Sequence, residues 1–146
     1  MGGTIAGPRC VIRFVQGLAI VSGIAIAVFS LGAATENNPT QFPPLRALAA
    51  LLFGDPGQSD KISHFLAYTV FSFFALLGVS YRRGLISVGV VGALIFYGFA
   101  LEGLQMIRPD RVPSGADLLA NCLGVATGLA LSWGALRWNR HRGQIS

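Results

Sequence analysis

The sequence predicts an all-α polytopic membrane protein, a bundle of four transmembrane helices with a short interfacial or re-entrant segment in its first outer loop. Three observations carry this. Apolar side chains make up 53% of the 146 residues and charged ones only 12%, about half the roughly 25% of a soluble domain. The mean hydropathy is +0.61. The apolar residues also fall in separate runs close to the roughly 20 helical residues that a bilayer requires. A formal charge of +5 does not read as a nucleic-acid surface, because the arginines flank apolar runs instead of alternating with aromatic residues on a polar face. The length allows a single membrane domain, residues 1–146, and no second unit.

The first span, residues 14–34, carries no charge. Arg9 and Arg13 before it and Gly32-Ala33-Ala34 at its end imitate a secretory signal. A run of 21 residues exceeds the roughly 7–15 of signal cores, which favours an uncleaved anchor. The first outer loop, residues 35–61, contains the apolar stretch Pro43 to Phe53, too short to span but suited to lie at an interface or re-enter. Gly54-Asp55-Pro56-Gly57 stops it. The second span, 62–79, is uncharged with His64 neutral. The third, 85–107, is uncharged up to Leu101 and is extended by Glu102 to Ile107. The fourth, 118–136, has Asn121 as its main polar group. Small residues throughout allow close helix contacts, and the need to satisfy every backbone group in lipid disfavours strands. Cys10 and Cys122 fall at opposite ends of the spans, so they cannot bridge and mark no thiol metal site.

Orientation follows from the basic residues. Arg9, Arg13, Arg82, Arg83, Arg137, Arg140 and Arg142 lie on one side, which the positive-inside rule makes cytoplasmic, together with both termini. All six acids (Glu36, Asp55, Asp60, Glu102, Asp110, Asp117) lie on or near the other side. With Arg46, Lys61, Arg108 and Arg111 they leave −2 outside against +7 inside.

Ionisable groups in spans cost several kcal/mol, so each is a candidate for function. They form three clusters near the outer face. In the first, Lys61, His64 and Tyr68 share one helical face. A helix start with Asp60 as cap, Lys61 snorkelling and Tyr68 in the aromatic belt explains most of it, but it explains His64 less well. The second is Glu102 and Gln105, three apart and facing the same way, with Gly98 one turn earlier. A carboxylate there needs a cation or takes up a proton, and the alternative to a site is a structural ion pair. The third runs from Arg108 through Arg111, Ser114 and Asp117 to Asn121. Ser114 and Asp117 match a capping box. Asn121 lies outside that pattern, on a face continued by Gly124 and Gly128 that suits a neighbouring helix.

In this order the clusters resemble the VanZ-like family of membrane proteins. The matching elements are Asp60-Lys61-x-x-His64-Phe65-x-x-Tyr68, Glu102-x-x-Gln105 and Arg111-x-x-Ser114-x-x-Asp117-x-x-x-Asn121-x-x-Gly124, within about residues 60–128. The resemblance implies a bacterial cytoplasmic (inner) membrane protein from a family linked to glycopeptide (teicoplanin) resistance. It supplies a set of site residues without a reaction.

Three readings of function follow. In the first, Lys61, Arg108 and Arg111 hold the headgroup of an anionic or sugar-bearing envelope lipid or lipid-linked precursor, because planar, charged arginine suits phosphate. His64, Tyr68, Glu102, Gln105, Ser114, Asp117 and Asn121 then orient those cations or bind hydroxyls. In the second, the clusters are an inter-helix ion-pair network of a structural or accessory subunit with a membrane-protein partner. In the third, the protein is an enzyme acting on a lipid headgroup, with His64 as base or nucleophile. No nucleophile elbow, P-loop or paired-histidine motif is present, and one histidine is a weak metal signal, so neither a cofactor nor a metal is expected.

Overall fold

The computed structural model describes residues 8–32, 42–79, 84–107 and 114–142. Helix α1 covers Pro8–Leu31, α2 Pro43–Phe53, α3 Ser59–Val79, α4 Leu85–Gln105 and α5 Gly115–Arg142, with a 3-10 turn at Pro56–Gln58. No strand occurs among the described residues. Four helices, α1, α3, α4 and α5, are long and apolar enough to cross a membrane, and the chain is a multi-pass membrane protein.

Three of these helices run past their apolar segments. α1 starts before Arg9, α3 takes in Ser59 and Asp60, and α5 continues to Arg142. Nothing in those flanks breaks a helix, so the intrahelical bonds that lipid demands simply continue into water. The end of α5 carries a basic and aromatic cuff. The Arg137 guanidinium sits 5.3 Å from the Trp133 ring centre and that of Arg142 4.9 Å from Trp138, as suits a membrane–water boundary.

Cross-helix contacts fix the helix directions. Tyr97 Oη donates to Gly23 O at 2.6 Å and Gln105 Nε2 to Ser30 O at 2.9 Å, so α1 and α4 run parallel. Gln16 Nε2 donates to Gly78 O at 3.1 Å, whereas Gly23 meets Phe71, so α1 and α3 are antiparallel. Lys61 faces Asp117, His64 faces Asn121 and Ser72 faces Gly128, so α3 and α5 are parallel. The four long helices therefore alternate in direction. The ends of α1 and α4 meet the starts of α3 and α5 at one end of the bundle.

The bundle is apolar inside and outside alike. Ile26, Tyr68, Leu94, Leu101 and Val125 form the core. Phe14, Phe96 and Leu85 stand 67%, 72% and 88% exposed, a surface that water would not tolerate over so large an area and that lipid covers.

The most extensive contact is α3 against α5, and two glycines make it possible. A Cβ on Gly124 would lie 2.5 Å from Phe65 O and 2.9 Å from Tyr68 Cβ. On Gly128 it would lie 2.6 Å from Thr69 O and 2.8 Å from Phe73 N, and it would overlap Ser72 Oγ. This is the small-xxx-small contact of membrane helices, in which backbone meets backbone.

The short apolar stretch between the first two spans forms α2. Pro43 and Pro44 occupy its first positions, where a missing N–H costs nothing. Gly54 ends it in the left-handed region, φ 72°, with its N–H on Ala50 O at 3.0 Å. Fully buried Ala49 marks its contact side, whereas Leu51 and Phe53 are exposed. Asp55 then shapes the turn into α3, accepting from Gly57 N at 2.8 Å and Gln58 Nε2 at 3.1 Å. Those bonds hold its carboxyl below its ordinary pKa.

Candidate functional site

The helix directions gather the polar residues of three helices at the end where α3 and α5 begin and α4 finishes. The α3–α5 contact places each residue of one helix opposite a fixed residue of the other. One turn above Tyr68, His64 Nδ1 lies 3.0 Å from Asn121 Oδ1. An amide oxygen only accepts, so this contact takes the Nδ1 proton and leaves Nε2 as the ring nitrogen turned away from Asn121. One turn further out, Lys61 Nζ lies 3.5 Å from Asp117 Oδ1 and 3.4 Å from Asp60 Oδ1.

α4 closes the cluster from the side. Its Gly98 approaches Tyr68 Oη and Asn121 Nδ2, which would lie 3.3 and 3.4 Å from a Cβ there. Glu102, one turn beyond, is buried at 7% exposure beside Asp117 and Asn121, which are equally enclosed. His64, Glu102 and Asp117 each offer one ligand-type atom, and the three atoms lie within 4.8 Å of one another. Around these groups the described residues hold three carboxylates, Asp60, Glu102 and Asp117, and one ammonium, Lys61.

Of the residues singled out in the sequence, Lys61, His64, Glu102, Asp117 and Asn121 come together. Tyr68 forms the floor beneath them. It is 1% exposed, stacks edge-on against Phe71, and its hydroxyl has no hydrogen-bond partner among the described residues. Arg108 and Arg111 lie outside the described residues, as do all residues from 108 to 113.

Two residues of the expected binding set find their partners outside the cluster, Ser114 in the capping role that its spacing predicts. Gln105 was expected to face the same way as Glu102, but its amide reaches the carbonyl of Ser30 on α1 and ties α4 to α1. Residues three apart on a helix differ by about 60° in direction, enough to meet different neighbours. Ser114 caps α5, its Oγ accepting from Ala116 N at 3.2 Å, and takes no part in the cluster. Its companion in the capping pattern, Asp117, has its Oδ1 toward Lys61 on α3. For Gln105→Ala we expect a loss of about 1 kcal/mol, the scale of an interhelical bond in a membrane, read as a lower unfolding midpoint in detergent. Loss of ligand binding at unchanged stability would return Gln105 to the site.

Sequence reasoning missed Gln16, Ser30 and Ser72, which serve helix contacts, and the buried Ser59. Ser72 is fully buried and donates to Tyr68 O at 2.6 Å, one turn back. Its position on the His64–Tyr68 face was the available signal.

Comparison of the chain with protein-family models, curated proteins and solved structures finds no match. The VanZ-like resemblance rests on the quoted residues alone.

Proposed function

We propose that this is a VanZ-like protein of the bacterial inner membrane, with both termini cytoplasmic and the polar cluster at the outer face. On this reading the cluster binds the headgroup of an anionic or sugar-bearing envelope lipid or lipid-linked precursor. The observation that carries the proposal is the meeting of Lys61, His64, Glu102, Asp117 and Asn121 from three helices at one bundle end. Ionisable groups within spans are expensive, and these lie at the level where the spans end. Headgroups sit at that same depth, with phosphates for cations and hydroxyls for amides and carboxylates. Lys61 supplies the charge from within the cluster, and Arg108 and Arg111, in the sequence between α4 and α5, are the further cations of this reading.

The placement of charges supports the orientation. Arg9, Arg13, Arg137, Arg140 and Arg142 lie at the bundle end opposite the cluster, as the positive-inside rule asks of the cytoplasmic side.

The Lys61–Asp117 and His64–Asn121 pairs join α3 to α5, and this favours a second reading in which the cluster is scaffold. Native mass spectrometry in mild detergent separates the two. Wild type should carry a discrete lipid that Lys61→Ala, Arg111→Ala and Asp117→Asn each lose while staying folded. Equal, nonspecific lipid on all four proteins, with lower stability in the variants, would overturn headgroup binding in favour of the scaffold.

A further inference from the structure

We propose that His64, Glu102 and Asp117 form a binding site for one divalent transition-metal ion of the Zn2+ class. The three residues come from three different helices, and their ligand atoms already lie within 4.8 Å of one another. Around a tetrahedral ion with bonds near 2.0–2.1 Å, ligand atoms stand about 3.3 Å apart. Side-chain rotations of this size close the site without moving a helix.

Two further observations point to an ion. Asp117 Oδ1 is buried, and its ion-pair partner Lys61 Nζ stands off at 3.5 Å with no closer hydrogen bond among the described residues. Tyr68 Oη, on a residue 1% exposed, has no hydrogen-bond partner among the described residues and lies against Gly98, one turn below Glu102. A metal-bound water above it would supply that partner. The cluster also has the outer parts of a metal site. Asn121 fixes the tautomer that frees His64 Nε2, the job that a carbonyl or carboxylate does behind most metal-binding histidines. Lys61 neutralises Asp117 when the ion is absent and has Asp60 within 3.4 Å to turn to when it is present.

The donor set selects the ion. One imidazole with two carboxylates suits Zn2+, Mn2+ or Fe2+, whereas Mg2+ prefers oxygen and water. Three protein ligands leave a coordination position open, where a phosphate oxygen or a water can bind. The site does not depend on the lipid reading, because the test uses the metal alone.

The untagged, full-length protein in detergent, stripped with chelator, is titrated with Zn2+ by calorimetry. Metal content is measured in parallel, and size-exclusion profiles confirm folding. Wild type should take up one Zn2+ per chain, with Mg2+ at least 100-fold weaker. His64→Gln and Glu102→Gln should each lose at least tenfold in affinity. Asn121→Ala should lose tenfold or more at the same stoichiometry, the usual effect of removing the group behind a ligand. His141→Gln, at the far end of α5, serves as the control and should bind as wild type does. Lys61→Met removes the competing ammonium from a partly exposed position and should tighten binding severalfold. Absence of saturable uptake by wild type, wild-type affinity in both His64→Gln and Glu102→Gln, or unchanged or weaker binding in Lys61→Met would each overturn the proposal.

Discussion

Replacing Gly128 with valine should unfold most of the protein, with a loss above about 3 kcal/mol, beyond the usual range for overpacking. The added Cβ would lie 2.6 Å from Thr69 O and 2.8 Å from Phe73 N. Both are backbone atoms of α3, held by its own hydrogen bonds, so no rotamer change relieves them. The helices must part instead, and parting them stretches the His64–Asn121 and Lys61–Asp117 pairs across the same interface. The effect thus reaches the polar cluster from about 10 Å further down the helix, seven residues at 1.5 Å each. Gly92 is the natural control, because a Cβ there meets nothing within 4 Å, and Gly92→Ala should be neutral or slightly stabilising. The comparison is read as the monodisperse fraction after extraction and as the unfolding midpoint. Similar behaviour of Gly128→Val and Gly92→Ala would contradict the α3–α5 contact.

Tyr68 should divide just as sharply between its ring and its hydroxyl. Tyr68→Ala should lose about 3 kcal/mol or more, as for other large aromatic truncations in a core. The ring is 1% exposed, belongs to the core with Ile26, Leu94, Leu101 and Val125, and meets Phe71 edge-on. Tyr68→Phe keeps that packing and deletes a hydroxyl that has no hydrogen-bond partner among the described residues. In the ligand-free protein it should be neutral or gain up to about 1 kcal/mol, since an unsatisfied buried group carries a penalty. Thermal unfolding of the two variants beside wild type settles the matter. A Tyr68→Phe variant as unstable as Tyr68→Ala would mean that the hydroxyl, rather than the ring, holds the core.

The architecture was legible because lipid imposes it. Runs of apolar residues separated by arginine or proline leave few alternatives to spanning helices. The site was legible for a related reason, since Lys61, His64, Glu102 and Asp117 stand out against an apolar background. What the sequence concealed was which neighbour each residue meets. Gln105 resembled Glu102 in type and spacing yet turned to Ser30 on α1. Asp117 satisfied a local capping pattern, which masked its position opposite Lys61. His64 and Asn121 were each singled out, but no local periodicity pairs two residues 57 apart. Ser72 escaped notice because a hydroxyl that bonds its own helix one turn back disturbs neither hydropathy nor helix propensity.

The parallel pairing of α3 with α5 also sets a schedule for biosynthesis. Partners 57 residues apart with α4 between them cannot meet as a hairpin when α3 leaves the ribosome. At about 5–20 residues per second, His64 waits roughly 3–11 s for Asn121 to be made. During that interval the nascent α3 carries an imidazole and an ammonium at the membrane boundary without their partners on α5. A chain that stalls before residue 117 keeps them in that state, and so presents quality-control proteases with a spanning helix whose polar end lacks its partners on α5.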